Sequence, residues 1–223
     1  VDRFSAEQVP GLARAEVLSS GGTVSLERLS ACKPDLVVLW WYQEQLARRL
    51  QSLGFRCIRY HPRAPEDVYD LIVRLGHTTR RREAAEKLVA DMQGRLARLP
   101  REGSPPRVYL ELYRPYRTVG PRTFTSEVLR LAGLTNIAAD SEIDYPVLSA
   151  EELVARDPDL ILLAGGGATK SDVAGRPGWS ALRAVREGRV FELPPAFLTP
   201  GPRFVETVEH IRRLAGGASL PGD

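Results

Sequence analysis

Three aromatic residues in a row, Trp40-Trp41-Tyr42, stand directly behind the aliphatic run Val37-Val38-Leu39. Successive side chains of a strand point to opposite faces, so three adjacent rings at a strand end cannot all enter a core. Rings left outside offer stacking and apolar burial, which suits a large flat ligand. A second set carries charge. Tyr113-Arg114-Pro115-Tyr116-Arg117 follows another aliphatic run, and Arg122 and Arg203 fall in further strand-to-helix loops. Guanidinium forks favour carboxylate-bearing or otherwise anionic ligands. The two sets pull apart, the rings toward a flat apolar ligand and the arginines toward an acidic one. Arginine is also simply frequent in this chain, and single half-buried rings are ordinary. Phe197, in the loop 194–202, is a further ring candidate.

The sequence carries no catalytic signature. His61, His77 and His210 lack metal-ligand spacing, so a metal site built from protein ligands is not expected. His61 follows a strand, where an axial contact to a chelated metal competes with the plainer role of a surface histidine. Gly165-Gly166-Gly167 also follows a strand, but no Gly-x-x-x-x-Gly-Lys-Ser/Thr pattern forms around Lys170 and Ser171, which favours a flexible turn. There is no Gly-x-Ser-x-Gly elbow, and neither Cys32 nor Cys57 has a recognisable base nearby. The cysteines adjoin strands of consecutive units, so a disulfide is conceivable and not demanded. An enzyme on a doubly wound scaffold and a sensor that binds without catalysis are competing classes.

Composition decides less. Of 223 residues, 43% are hydrophobic and 26% charged, ordinary for a globular chain. The 31 basic and 28 acidic residues leave a charge of +3, spread along the chain, which argues against a nucleic-acid binder. No apolar run reaches the roughly 18 residues of a membrane span. The chain opens at Val1 rather than Met, which points to processing or trimming upstream, where a leader or lipid anchor would lie.

The elements that must position these groups emerge from an internal repeat. Residues 25–39 align without gaps to residues 149–163, sharing Ser, Glu, Leu, Ala, Pro-Asp-Leu and a final Leu. Each copy reads as a short Ser-capped helix, with a capping box at Ser149 and Glu152, ended before Pro and followed by a buried strand. Between the copies the pattern predicts a helix over 43–53, a strand over 56–60, and a helix over 65–75 closed by Gly76. A Thr79 cap then opens a helix to Leu99, with Ala85, Leu88, Met92, Leu96 and Leu99 along one stripe and a length of about 30 Å. Residues 100–106 read as a linker. Beyond them come a strand over 108–112, a helix over 125–131 closed by Gly133, the second copy, a strand over 190–193 and a helix over 203–214. The expected fold class is α/β, with two Rossmann-like lobes of parallel strands joined by one long backbone helix. The lobes would span 1–78 and 107–223, with the helix at 79–99.

The order and spacing of these segments resemble the helical-backbone periplasmic binding proteins that serve ABC importers of cobalamin, ferric siderophores and haem. The resemblance runs through Val1-Asp2-Arg3-Phe4-Ser5, Ser25-Leu26-Glu27, Lys33-Pro34-Asp35-Leu36-Val37, the 79–99 helix, Leu131-Ala132-Gly133, residues 145–151 and Pro158-Asp159-Leu160. It departs at the start, where the family has a further strand and helix ahead of a segment like Val1–Ser5, so the first lobe is expected to lack part of its sheet. Ligands of open α/β sheets bind outside the carboxyl ends of the strands. The resemblance implies that Phe4, Trp40 and Tyr145 hold aromatic cleft positions of cobalamin-binding members. It also implies that Glu27 and Glu151 dock onto arginines of a dimeric permease, two sites engaging two subunits. The plainer account is that acidic residues suit helix N-termini. A monomer outside the cytoplasmic membrane follows, without cofactor or catalysis, carrying a corrinoid by first choice and a ferric siderophore or haem as the alternative.

Overall fold

Ser25 and Ser149 stop the preceding chain in extended conformation and turn their hydroxyls onto the amides three residues ahead, at 3.3 Å on Arg28 and 3.1 Å on Glu152. Each cap starts a helix, α1 at Leu26–Ala31 and α6 at Ala150–Arg156. Each helix is followed by a parallel strand, β3 at Val37–Trp40 and β7 at Leu160–Ala164. The likeness reaches the backbone: Lys33 and Asp157, at the same offset, both have positive φ, +44° and +34°. The copies differ at the third helical position. Glu152 reaches back to the Ser149 amide at 2.7 Å and completes a capping box. Arg28 instead pairs with Glu16 at 2.8 Å.

A computed structural model describes residues 15–20, 23–100, 103–194, 197 and 199–216. The chain divides into two compact units, Val1–His61 and Pro62–Asp223. In the first, β1 (Ser19–Ser20) pairs antiparallel with β2 (Thr23–Val24). There β3 pairs parallel with β4 (Cys57–Tyr60), and α2 (Glu44–Ser52) lies between them in the chain. Leu29, Leu39, Ala47 and Leu50 form its core. Cys32 and Cys57 are free thiols.

The second unit begins with two helices, α3 (Pro65–Thr78) and α4 (Arg82–Ala97). A sheet of order β6-β5-β7-β8 follows, parallel throughout, from β5 (Arg107–Leu112), β6 (Thr135–Asn136), β7 and β8 (Val190–Leu193). Its helices are α5 (Phe124–Leu131), α6, α7 (Lys170–Ala174), α8 (Arg183–Arg186) and α9 (Phe204–Ala215). β7 lies between β5 and β8 and is buried along its full length, which is what a continuous aliphatic run implies for a strand covered on both faces. Trp179, Tyr109, Leu153 and Ile161 lie at the centre of the packing on one side of this sheet.

The long helix is shorter than its periodicity suggests. Thr79 does not cap it but closes α3, with its amide on Leu75 O at 2.9 Å and its hydroxyl on the same carbonyl at 2.7 Å. Arg80 then takes a left-handed conformation (φ +59°), Arg81 N–H reaches Gly76 O at 2.7 Å, and α4 starts at Arg82. At 16 residues it is about 24 Å long. Gly76 does not terminate α3 either. It sits within the helix, where a Cβ would come 2.4 Å from Ala85 Cβ, so the glycine permits close packing of α3 on α4. On its other flank α4 meets α9 through a bidentate Arg95–Glu209 pair at 2.7 and 2.9 Å. Ala85 and Met92 of the stripe are buried, and Leu88 is exposed. No described helix is long and apolar enough to cross a membrane.

Candidate ligand-binding site

In the first unit the parallel pairing puts Trp40 opposite Tyr60, and Trp41 N–H extends the ladder onto Tyr60 O at 3.0 Å. Gln43 accepts the Trp40 amide at 2.9 Å, which turns the chain into α2. The rings therefore separate. Trp40 is half-buried against Tyr60 at 5.6 Å, whereas Trp41 and Tyr42 are 37% and 67% exposed. Trp41 stacks on His61 with centroids 4.5 Å apart and planes 12° from parallel, and meets Trp40 and Tyr42 edge-on at 5.9 and 5.2 Å. The carboxyl end of β3 and β4 thus carries a continuous surface of rings. His61 belongs to it as a stacking partner. Phe4 lies outside the described residues.

In the second unit the segment after β5 folds back on itself. Leu112 N–H donates to Arg117 O at 2.8 Å, and Tyr113 N–H to Ala164 O at 3.0 Å. Tyr113 is exposed and Tyr116 half-buried, and both adopt φ of +63°. The glycine run after β7 is shaped by this turn. A Cβ on Gly165 would meet the Tyr113 ring at 2.2 Å, and one on Gly167 would meet Tyr113 O at 1.9 Å. Residues 165–167 give way to a tyrosine rather than to a phosphate. Beside the turn, Arg117 bridges to Val147 on the backbone and lays its guanidinium over Tyr145 at 5.0 Å. Burial and the Asp144 carboxylate push the Tyr145 hydroxyl pKa up.

The arginines are not equivalent. Asp144 engages Arg122 at 3.1 Å and Arg63 at 3.5 Å, and Glu206 engages Arg203 at 3.0 Å. Among the described residues Arg114 and Arg117 have no acidic partner. The Phe197 ring meets His210 on α9 edge-on at 4.9 Å. Burial, with Arg213 nearby, holds the His210 imidazole below its ordinary pKa of 6.5. The unfolded chain therefore binds more protons than the folded one as pH falls through 6.5. The stability tied to neutral His210 is complete above that value and is lost as pH drops through the lowered folded value. Thermal melts from about pH 8 to about pH 5 should show a decline on the acid side that His210→Gln reduces.

Glu27 and Glu151 each occupy the second position of their helix, exposed and without a described hydrogen bond or ion pair.

Under the Tyr113–Arg117 turn lies a buried ion pair that the sequence reading did not single out. Glu111, 2% exposed, takes both arms of Arg176 at 2.6 and 2.7 Å. It also accepts Tyr109 OH at 3.1 Å and Tyr116 N–H at 3.0 Å. The Arg176 guanidinium stacks over Trp179 at 4.4 Å and Tyr116 at 5.7 Å. Burial first, then the Glu111 carboxylate, push the Tyr109 pKa up, and the hydrogen bonds that Arg176 donates to Glu111 raise that of Arg176. One acidic residue inside the apolar strand Val108–Leu112 was the available signal. Among the described residues no cluster of three metal-ligating side chains occurs.

Known proteins are similar to this chain. The periplasmic binding protein family matches residues 6–197. A vitamin B12-binding protein of Vibrio cholerae is 28% identical over 214 residues, covering 91% of this chain and 75% of its own length. The crystal structure of the periplasmic vitamin B12-binding protein of Vibrio cholerae superposes with a TM-score of 0.74 at 25% identity, over 98% of this chain and 88% of that one. The apo periplasmic heme-binding protein of Roseiflexus sp. RS-1 gives 0.82 at 22% identity, over 99% and 90%, a likeness of fold.

Proposed function

Because the chain belongs to the periplasmic binding protein family, we propose that it is the substrate-binding protein of an ABC importer for a metal chelate, with cobalamin or another corrinoid as its ligand. The ring surface at the carboxyl end of β3 and β4 carries the ligand class. Trp41, Tyr42 and the stacked His61 give a flat macrocycle apolar area at a strand end, where ligands of parallel sheets bind. The vitamin B12-binding relative in Vibrio cholerae supports the same choice. Within the second unit, Tyr113, Tyr116 and Arg117, with Tyr145 beside them, are the candidate ligand contacts. The protein acts by binding, outside the cytoplasmic membrane, and Glu27 and Glu151 present it to the permease. A ferric siderophore or haem is the second reading, favoured by Arg117, whose guanidinium has no described acidic partner to neutralise it.

Tryptophan-fluorescence titration tests this, with cyanocobalamin, a ferric siderophore and haem run in parallel and corrected for absorbance. Saturable quenching by cyanocobalamin at about micromolar affinity or tighter is expected, and Trp41→Ala should weaken it roughly 30-fold. Saturation by haem or the siderophore alone would move the ligand to the second reading, and silence toward all three would refute the proposal.

A further inference from the structure

Ion pairs buried under a surface turn do not explain themselves by stability, since apolar residues of equal volume hold a fold as well or better. The Glu111–Arg176 pair is saturated: four donors converge on one carboxylate, two from Arg176, one from Tyr109 and one from the backbone of Tyr116. Of these, the Tyr116 amide belongs to a segment that local preference would not hold. Two non-glycine residues three positions apart, Tyr113 and Tyr116, stand at φ +63°, and such conformations persist only where the surroundings over-determine them. Ala164 O fixes the first through the Tyr113 amide, and Glu111 fixes the second. Arg176 then clamps the Tyr116 ring from its face while Trp179 meets that ring edge-on at 5.8 Å.

We infer that Glu111 and Arg176 are positioning residues: the buried pair holds the Tyr113–Arg117 turn in the conformation that presents Tyr113 and Arg117. This rests on the reading of that turn as ligand-facing. The pair touches no ligand itself and acts through the Tyr116 amide.

The test is a full-length chain carrying Glu111→Leu with Arg176→Met, which removes the acceptor without leaving a buried charge unpaired. Amide hydrogen exchange at Tyr116 should speed up about tenfold, and cyanocobalamin affinity should fall by about tenfold, while the melting temperature holds or rises. A merely structural pair would leave local exchange and affinity unchanged once any change in melting temperature is corrected for. Unchanged exchange at Tyr116 overturns the inference. Glu111→Gln, which keeps the shape and one acceptor oxygen, is the second variant should the first fail to fold: its exchange must exceed the parent's, and equality overturns the inference too. If the parent itself ignores cyanocobalamin, the proposed ligand falls, and the exchange measurement still decides the role of the pair.

Discussion

Exchanging Glu27 and Glu151 together for arginine is expected to abolish uptake by the reconstituted importer while ligand affinity stays at the parent value. Both carboxylates are exposed, unpaired among the described residues, and set at the same helical position in the two copies of the repeat. The fold has little to lose from the change. A charge at a helix N-terminus is worth about 0.3–1 kcal/mol, and the Ser25 and Ser149 caps that start each helix remain. On the proposed docking role the cost falls on the partner: arginine facing a permease arginine would convert attraction into like-charge repulsion at two places at once. Each single reversal should leave partial transport. Uptake that survives the double reversal, or an affinity that collapses with it, would refute the docking role.

Replacing Trp179 by alanine should produce the largest loss of stability of any single substitution considered. The indole is fully buried, edge-on to Tyr109 and Tyr116 at 6.0 and 5.8 Å, and under the Arg176 guanidinium. Truncation of such a ring costs about 3–5 kcal/mol through lost contacts and the cavity left behind. For a chain of this size the thermal midpoint should fall on the order of 10 °C. Trp179→Phe should cost much less, because the indole Nε1 has no described hydrogen-bond partner to lose. Calorimetry on the two variants separates them, and equal midpoints would mean that the ring is not a keystone of the second unit.

The repeat made most of the architecture legible, because a capped helix, a proline stop and an aliphatic strand are local patterns. The parallel pairing of β3 with β4 and of β5 with β7 follows from strands that alternate with helices. The start of α4 was not legible. A threonine ahead of a helical stripe has the composition of an N-cap, and only the left-handed Arg80 and the contact of Gly76 with Ala85 reveal a turn there. The rings at 40–42 were readable from strand alternation, although Trp41 and Tyr42 rather than Trp40 carry the exposed surface. The charges were not readable. Arg122 is neutralised by Asp144, 22 residues away, and Glu111 by Arg176, 65 residues away, and no local pattern announces either pairing.

The shared left-handed residues have a meaning of their own. Lys33 and Asp157 have opposite charges, yet the chain leaves each helix through them with the same handedness, at the same distance from the serine. The repeat is legible here in dihedral angles at a position where the letters differ. Two copies of one primordial segment would diverge in side-chain chemistry while each goes on inheriting the bend that returns its strand to the sheet.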